Sequence, residues 1–275
     1  MIAAALLFAL ALWWASTGAV LWLARLPVGR GPRMAVASVG AAGAAAVLWA
    51  TREVATPAGA AAAFTAAVAL WGWHELSFLT GVVTGPSASP CPPGARGWRR
   101  FRAAAATLIH HELALAATAA VVAAATLGGP DPVGGWTFLA LFAARLSAKL
   151  NLFLGAPSFS PEFFPPHLRH LTTYLRKGPV SPLFPISLCA LAASAAAVAA
   201  VAMRPEATGF DRVGYTLVAA LLALAALEHV FMALPLADTA LWRWALPAAE
   251  RPRRPSRRTS AHRATVHVDA VESPN

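Results

Sequence analysis

The sequence predicts an all-α fold: a polytopic membrane bundle of about seven transmembrane helices, N-terminus outside, C-terminus in the cytoplasm, with short interfacial helices beside it. Three observations predict this. Of the 275 residues, 58% are hydrophobic and only 12% charged, about half the charge of a soluble domain. Apolar runs of about 20 residues recur along the chain, each long enough to cross the hydrocarbon core. The basic residues gather at the ends of those runs, mostly on one side.

The spans read as 2–24, 34–51, 57–79, 103–127, 134–154, 183–203 and 212–234. They are long and Ala/Leu-rich, without the two-residue alternation of a barrel strand, so each satisfies its backbone as a helix. Proline and glycine mark most junctions, among them Pro27 to Pro32, Pro57, Gly85 to Gly97, Gly128 to Pro132 and Pro205. Gly40 and Gly43 in the second span predict close helix packing. The first run is apolar from Met1 and meets no charge before Arg25, which argues for a retained first helix and against a cleaved signal peptide.

Seven spans divide the basic residues sharply. The predicted cytoplasmic loops and the C-terminal segment hold 17 Lys and Arg, against Arg52, Arg204 and Arg212 on the other side. Positive loops stay inside, and this sets the orientation. The same placement accounts for the net charge of +10 and speaks against nucleic acid as a partner. Cys91 and Cys189 form no disulfide framework and are expected to be reduced.

Residues 1–247 therefore read as one transmembrane helical domain, and residues 248–275 as a disordered basic cytoplasmic tail. Two segments have the composition of helices at the headgroup level. Residues 166–176 set Leu168, Leu171 and Leu175 on one face, and residues 236–246 mix Trp242 and Trp244 with Arg243. An ordinary loop remains the alternative for both. Most tryptophans read as interface anchors, although Trp71 and Trp73 flank the polar groups described next.

Four spans carry residues that do not belong in lipid. These are His74 and Glu75 in the third; His110, His111 and Glu112 in the fourth; Arg145, Lys149 and Asn151 in the fifth; and Glu228 and His229 in the seventh. An ionisable group facing lipid at mid-helix costs at least about 2.5–3.5 kcal/mol, so these are expected to face the bundle. By helix rise, all lie roughly 5–12 Å inside the cytoplasmic boundary. Thr107, His111 and Thr118 share a helix face, which makes His111 the better inward candidate of its pair.

Three readings of this layer stay open. It is a buried ionic network, in which Arg145 and Lys149 balance the acids; or it binds a tetrapyrrole or a transition metal, His74 and His111 being the first metal candidates; or it moves protons or ions. No Glu-x-x-His repeat or His-Glu-x-x-His motif supports a known metal site. The loop from Cys91 to Arg102 is rigid, basic and aromatic; Arg96, Trp98, Arg99 and Arg100 are candidates for docking a partner or lipid headgroups.

The strings WGWHELSFLTG (71–81), CPPGARGWRRF (91–101), TLIHHELAL (107–115), RLSAKLNLFLG (145–155) and PPHLRHLTTYL (165–175) resemble the photosynthetic complex assembly proteins of the PuhE type over roughly residues 5–240. The resemblance implies a multi-pass protein of the bacterial inner (intracytoplasmic) membrane. It also implies a role in assembling the reaction-centre and light-harvesting complex, with complex subunits or pigment-synthesis proteins as partners. It makes bacteriochlorophyll the tetrapyrrole to consider, with His74, His110, His111 and His229 as axial-ligand candidates. Glu75, Glu112 and Glu228 would then orient the imidazoles, and Arg145 and Lys149 would neutralise the acids or receive a propionate. It carries over no catalytic residues. The alternative is a membrane-embedded metalloenzyme acting on a pigment or lipid precursor.

Overall fold

Seven helices of 18–25 residues carry the chain back and forth in the computed structural model, which describes residues 1–234, 241, 242, 244 and 245. They are α1 (Ile2–Arg25), α2 (Arg30–Thr51), α3 (Pro57–Leu79), α5 (Ile109–Thr126), α6 (Val133–Leu154), α7 (Leu183–Ala202) and α8 (Gly209–Ala233). A short helix, α4 (Gly97–Ala105), precedes α5, and 3-10 helices span Pro161–Phe163 and Pro166–Tyr174. The described residues form no strand, only an isolated bridge between Ala156 and Lys177. Six of the long helices are apolar enough by composition to cross a membrane; α3 is the exception. The protein is a polytopic helical membrane bundle.

The exception has a reason. α3 sits at the centre and packs against α1, α2, α5, α6 and α8, so its neighbours screen it from lipid. Ala60, Ala63, Phe64 and Ala67 are almost wholly enclosed, and the small side chains let the neighbouring backbones approach. Thr56 caps the helix by accepting from the Gly59 amide at 3.0 Å, with Pro57 in the first turn. α7 lies at the edge, packed chiefly on α8.

Loop contacts sort into the two sets that the charge split requires. On the basic side, Arg25 donates to the Glu162 carbonyl and Arg100 to those of Phe153 and Tyr174. On the other side, the Asp131 amide donates to the Arg52 carbonyl at 2.9 Å.

Several expectations need correction. The fourth span does not begin at residue 103: the chain breaks at 106–108 into α4 and α5. No proline or glycine marks this break. It is made by the preceding loop, where the Ser87 amide donates to the Ala106 carbonyl and the His111 amide donates to the Thr84 carbonyl. A Cβ at Gly85 would lie 2.3 Å from the Ala106 oxygen, so only glycine allows this approach. Residues 166–174 wind as a 3-10 helix, whose period of three places Leu168, Leu171 and Tyr174 inward in place of the expected Leu175. α2 starts four residues earlier than expected, at Arg30, and tolerates Pro32 in its first turn. Gly40 and Gly43 face open space at the bundle surface and pack against no helix.

Of the segment 236–246, only Leu241, Trp242, Trp244 and Ala245 are described. Trp242 is buried on α1, 5.2 Å edge-on from Trp13, and donates to the Trp14 carbonyl. The basic tail from 248 lies outside the described residues. Cys91 and Cys189 are both free thiols.

Candidate functional site

Apart from His110, the polar residues expected from the sequence fall into two clusters on the basic side of the bundle. α6 divides them, because its polar side chains leave in different directions.

The first cluster lies between α3, α5 and α6. Arg145 donates to Glu75 Oε2 at 3.3 Å, and Lys149 donates to Glu112. Each acid is thus matched by a base on a facing helix. Arg145 is half exposed at the bundle surface, whereas the other three are largely enclosed. Glu228 on α8 also acts electrostatically on Arg145 and accepts from Trp13 Nε1 at 3.3 Å. The two ion pairs thus link α3 to α6 and α5 to α6.

Two imidazoles sit inside that network. His74 is 3% exposed and His111 not at all. Their ring centroids are 6.5 Å apart, and Phe78 tilts against His111 at 4.7 Å. His74 Nε2 bonds Thr118 Oγ1 at 2.9 Å, while its Nδ1 meets no partner among the described residues. Neither nitrogen of His111 has a partner among the described residues. Trp73 packs edge-on to His74 and donates to Ser38 on α2, whereas Trp71 is buried against Phe138.

The second cluster lies between α6, α7 and α8 and is fully satisfied. Asn151 donates to the Ser147 carbonyl and to Ser187 Oγ, and accepts from Ser181. His229 bonds Ser147 through Nε2 at 2.9 Å and the Ala225 carbonyl through Nδ1 at 2.8 Å. Sequence reading missed Ser147, Ser181 and Ser187. Serine inside an apolar run carries little signal, although Ser147 lies one helical turn before Asn151 and so shares its face.

His110 points out of the bundle. It is exposed on the face of α5 that also carries Leu113, Ala117 and Ala120. Adjacent helical residues diverge by about 100°, which separates it from the enclosed His111.

The four histidines differ in what they could hold. A tetrapyrrole does not fit at His74 or His111, which are enclosed and in ring contact with aromatic neighbours. At His229 both nitrogens are engaged. Of the four, His110 alone has an exposed side chain, so it is the one imidazole open to a large ligand from outside the bundle. For a metal ion, no group of three His, Cys, Asp or Glu side chains comes together among the described residues.

α4 carries the basic loop candidates. Arg100 is committed to the Phe153 and Tyr174 carbonyls and lies 4.1 Å over the Phe153 ring. Phe101 packs on the same ring. Arg96, Trp98 and Arg99 are exposed. Outside the spans, partial burial, and after it the Arg30 guanidinium, holds His167 below its ordinary pKa, and burial raises that of Tyr174, with Cys91 adding to it.

Fold and site define an integral membrane protein whose polar groups lie on its basic side. The family model described as "Protein of unknown function (DUF3623)" matches residues 1–253, and the chain belongs to that family. It is 40% identical over 245 residues to an "Uncharacterized 30.4 kDa protein in puhA 5'region" of Rhodobacter capsulatus, covering 87% of this chain and 89% of that protein. No solved structure matches.

Proposed function

We propose that this protein is an integral membrane factor, of the PuhE type, that assists assembly of the bacterial photosynthetic reaction-centre and light-harvesting complex in the inner (intracytoplasmic) membrane. The observation that carries the reading is the relative in the puhA 5' region, similar along almost the whole chain. It agrees with the resemblance of the motifs at 71–81, 107–115 and 145–155, and those motifs supply the ionic layer.

Two exposed features on the basic side suit such a role. His110, exposed on α5, would hold the magnesium of a bacteriochlorophyll through its imidazole. Bacteriochlorophyll would supply the visible absorbance and the cargo to be delivered to an apoprotein. Arg96, Trp98 and Arg99 would dock a complex subunit or a pigment-synthesis protein. The ion pairs of Glu75, Glu112, Arg145 and Lys149 would then hold α3, α5 and α6 rigid behind that face.

The test uses protein purified in mild detergent from a phototrophic host. Pigment absorbance is expected with the wild type and lost in His110→Ala, while His229→Ala keeps it. A deletion strain should accumulate less photosynthetic complex. Normal complex levels in that strain would refute the assembly role, and colourless wild-type protein would refute the pigment role.

A further inference from the structure

Six buried side-chain polar atoms lack a hydrogen-bond partner among the described residues, and four of them belong to three neighbouring side chains: His74 Nδ1, Glu75 Oε1 and both ring nitrogens of His111. An unmet buried group is costly, and in lipid no outside solvent relieves it. Glu75 is close enough to both imidazoles to act on them electrostatically. The rings, with centroids 6.5 Å apart, are too distant for a direct bond but suitably placed for a bridging molecule.

The unmet atoms specify the ligand. A neutral imidazole presents one N–H donor and one acceptor nitrogen, on opposite edges of its ring. Glu75 Oε1 only accepts. A cation would leave the His111 N–H unmet, and an anion would be repelled by Glu75. The ligand must both donate and accept, and it must be small, because His111 has no exposure at all. One molecule cannot reach both edges of the ring, so at least two are needed.

We infer that His74, Glu75 and His111 form a buried water-binding site between α3 and α5, holding two or more ordered waters inside the ionic layer. Thr118, already bonded to His74 Nε2, closes the site toward the membrane centre. Phe78 covers one face of the His111 ring.

The proposal predicts the sign of a stability change. If the site were dry, His111→Leu would remove an unmet group and raise the thermal midpoint. With water bound, the same change strands His74 Nδ1 and Glu75 Oε1 and lowers the midpoint by about 4 °C. His111→Gln keeps a donor and an acceptor and should melt within about 2 °C of wild type. A midpoint for His111→Leu at or above wild type overturns the proposal. A second measurement needs no variant: water-edited solid-state NMR of ¹⁵N-histidine-labelled wild-type protein in lipid. Rapid transfer from water to the His111 ring nitrogens is expected, and its absence also overturns the site.

Discussion

Arg145 on α6 donates to Glu75 on α3 at 3.3 Å, and this pair joins the central helix to its neighbour within the membrane. Glu75 is largely enclosed while Arg145 is half exposed, so the two are not equivalent. Glu75→Gln leaves the arginine able to turn toward headgroups and should cost about 1–2 kcal/mol. Arg145→Leu strands an enclosed carboxylate and should cost more, about 3 kcal/mol. Thermal unfolding in one detergent ranks the two, and an equal loss would contradict the asymmetry.

Lys149 and Glu112 make the companion pair on α5 and α6, both mostly enclosed. Glu112→Gln and Lys149→Met should each destabilise by about 2–3 kcal/mol, and the double substitution by less than their sum. A double-mutant cycle measures the coupling. Simple additivity would show that the contact contributes nothing.

Asn151 uses both ends of its amide among Ser147, Ser181 and Ser187. Asn151→Leu should cost about 2 kcal/mol, because buried hydroxyls lose their partner. Unfolding midpoints check this, with Leu150→Ala, on a half-buried apolar side chain, as a packing control.

Asp131 lies in the loop between α5 and α6. Its Oδ1 accepts from the Val133 amide at 3.0 Å, and its Oδ2 has no partner among the described residues. Burial pushes its carboxyl above the ordinary value, partly opposed by that amide. The folded state therefore binds the proton more tightly than the unfolded state. The stabilisation is fully present below the unfolded pKa of about 4 and is lost as pH rises through the higher folded value. Asp131→Asn keeps the bond to Val133 and removes the charge. It should raise the melting midpoint at pH 7 and remove this part of the acid-side slope. A lower midpoint for Asp131→Asn across pH 4–8 would contradict the assignment.

The charge split predicts sidedness. Alkaline phosphatase fused after Arg52 should be active and a C-terminal green fluorescent fusion bright, since seven crossings put the C-terminus in the cytoplasm. The reverse pattern would invert the bundle.

The number of long helices and the side to which each end belongs were legible in the sequence, because both depend on local quantities: the length of an apolar run and the charges at its ends. The sequence also brought the polar residues of α3, α5, α6 and α8 to one depth, since depth follows from helix rise alone. Rotation about each helix axis is different, because neighbours decide it. A single residue step separates the exposed His110 from the enclosed His111, and the face shared with Thr107 and Thr118 was the only local hint. Partner choice was equally hidden. Nothing local pairs Lys149 with Glu112, His229 with Ser147 or Trp242 with α1. The break at 106–108 has no mark in its own residues; it was decided by Thr84, Gly85 and Ser87, which compete for the same backbone groups. The sequence by itself determined which groups the membrane must hide, and packing of the helices decided how each was hidden.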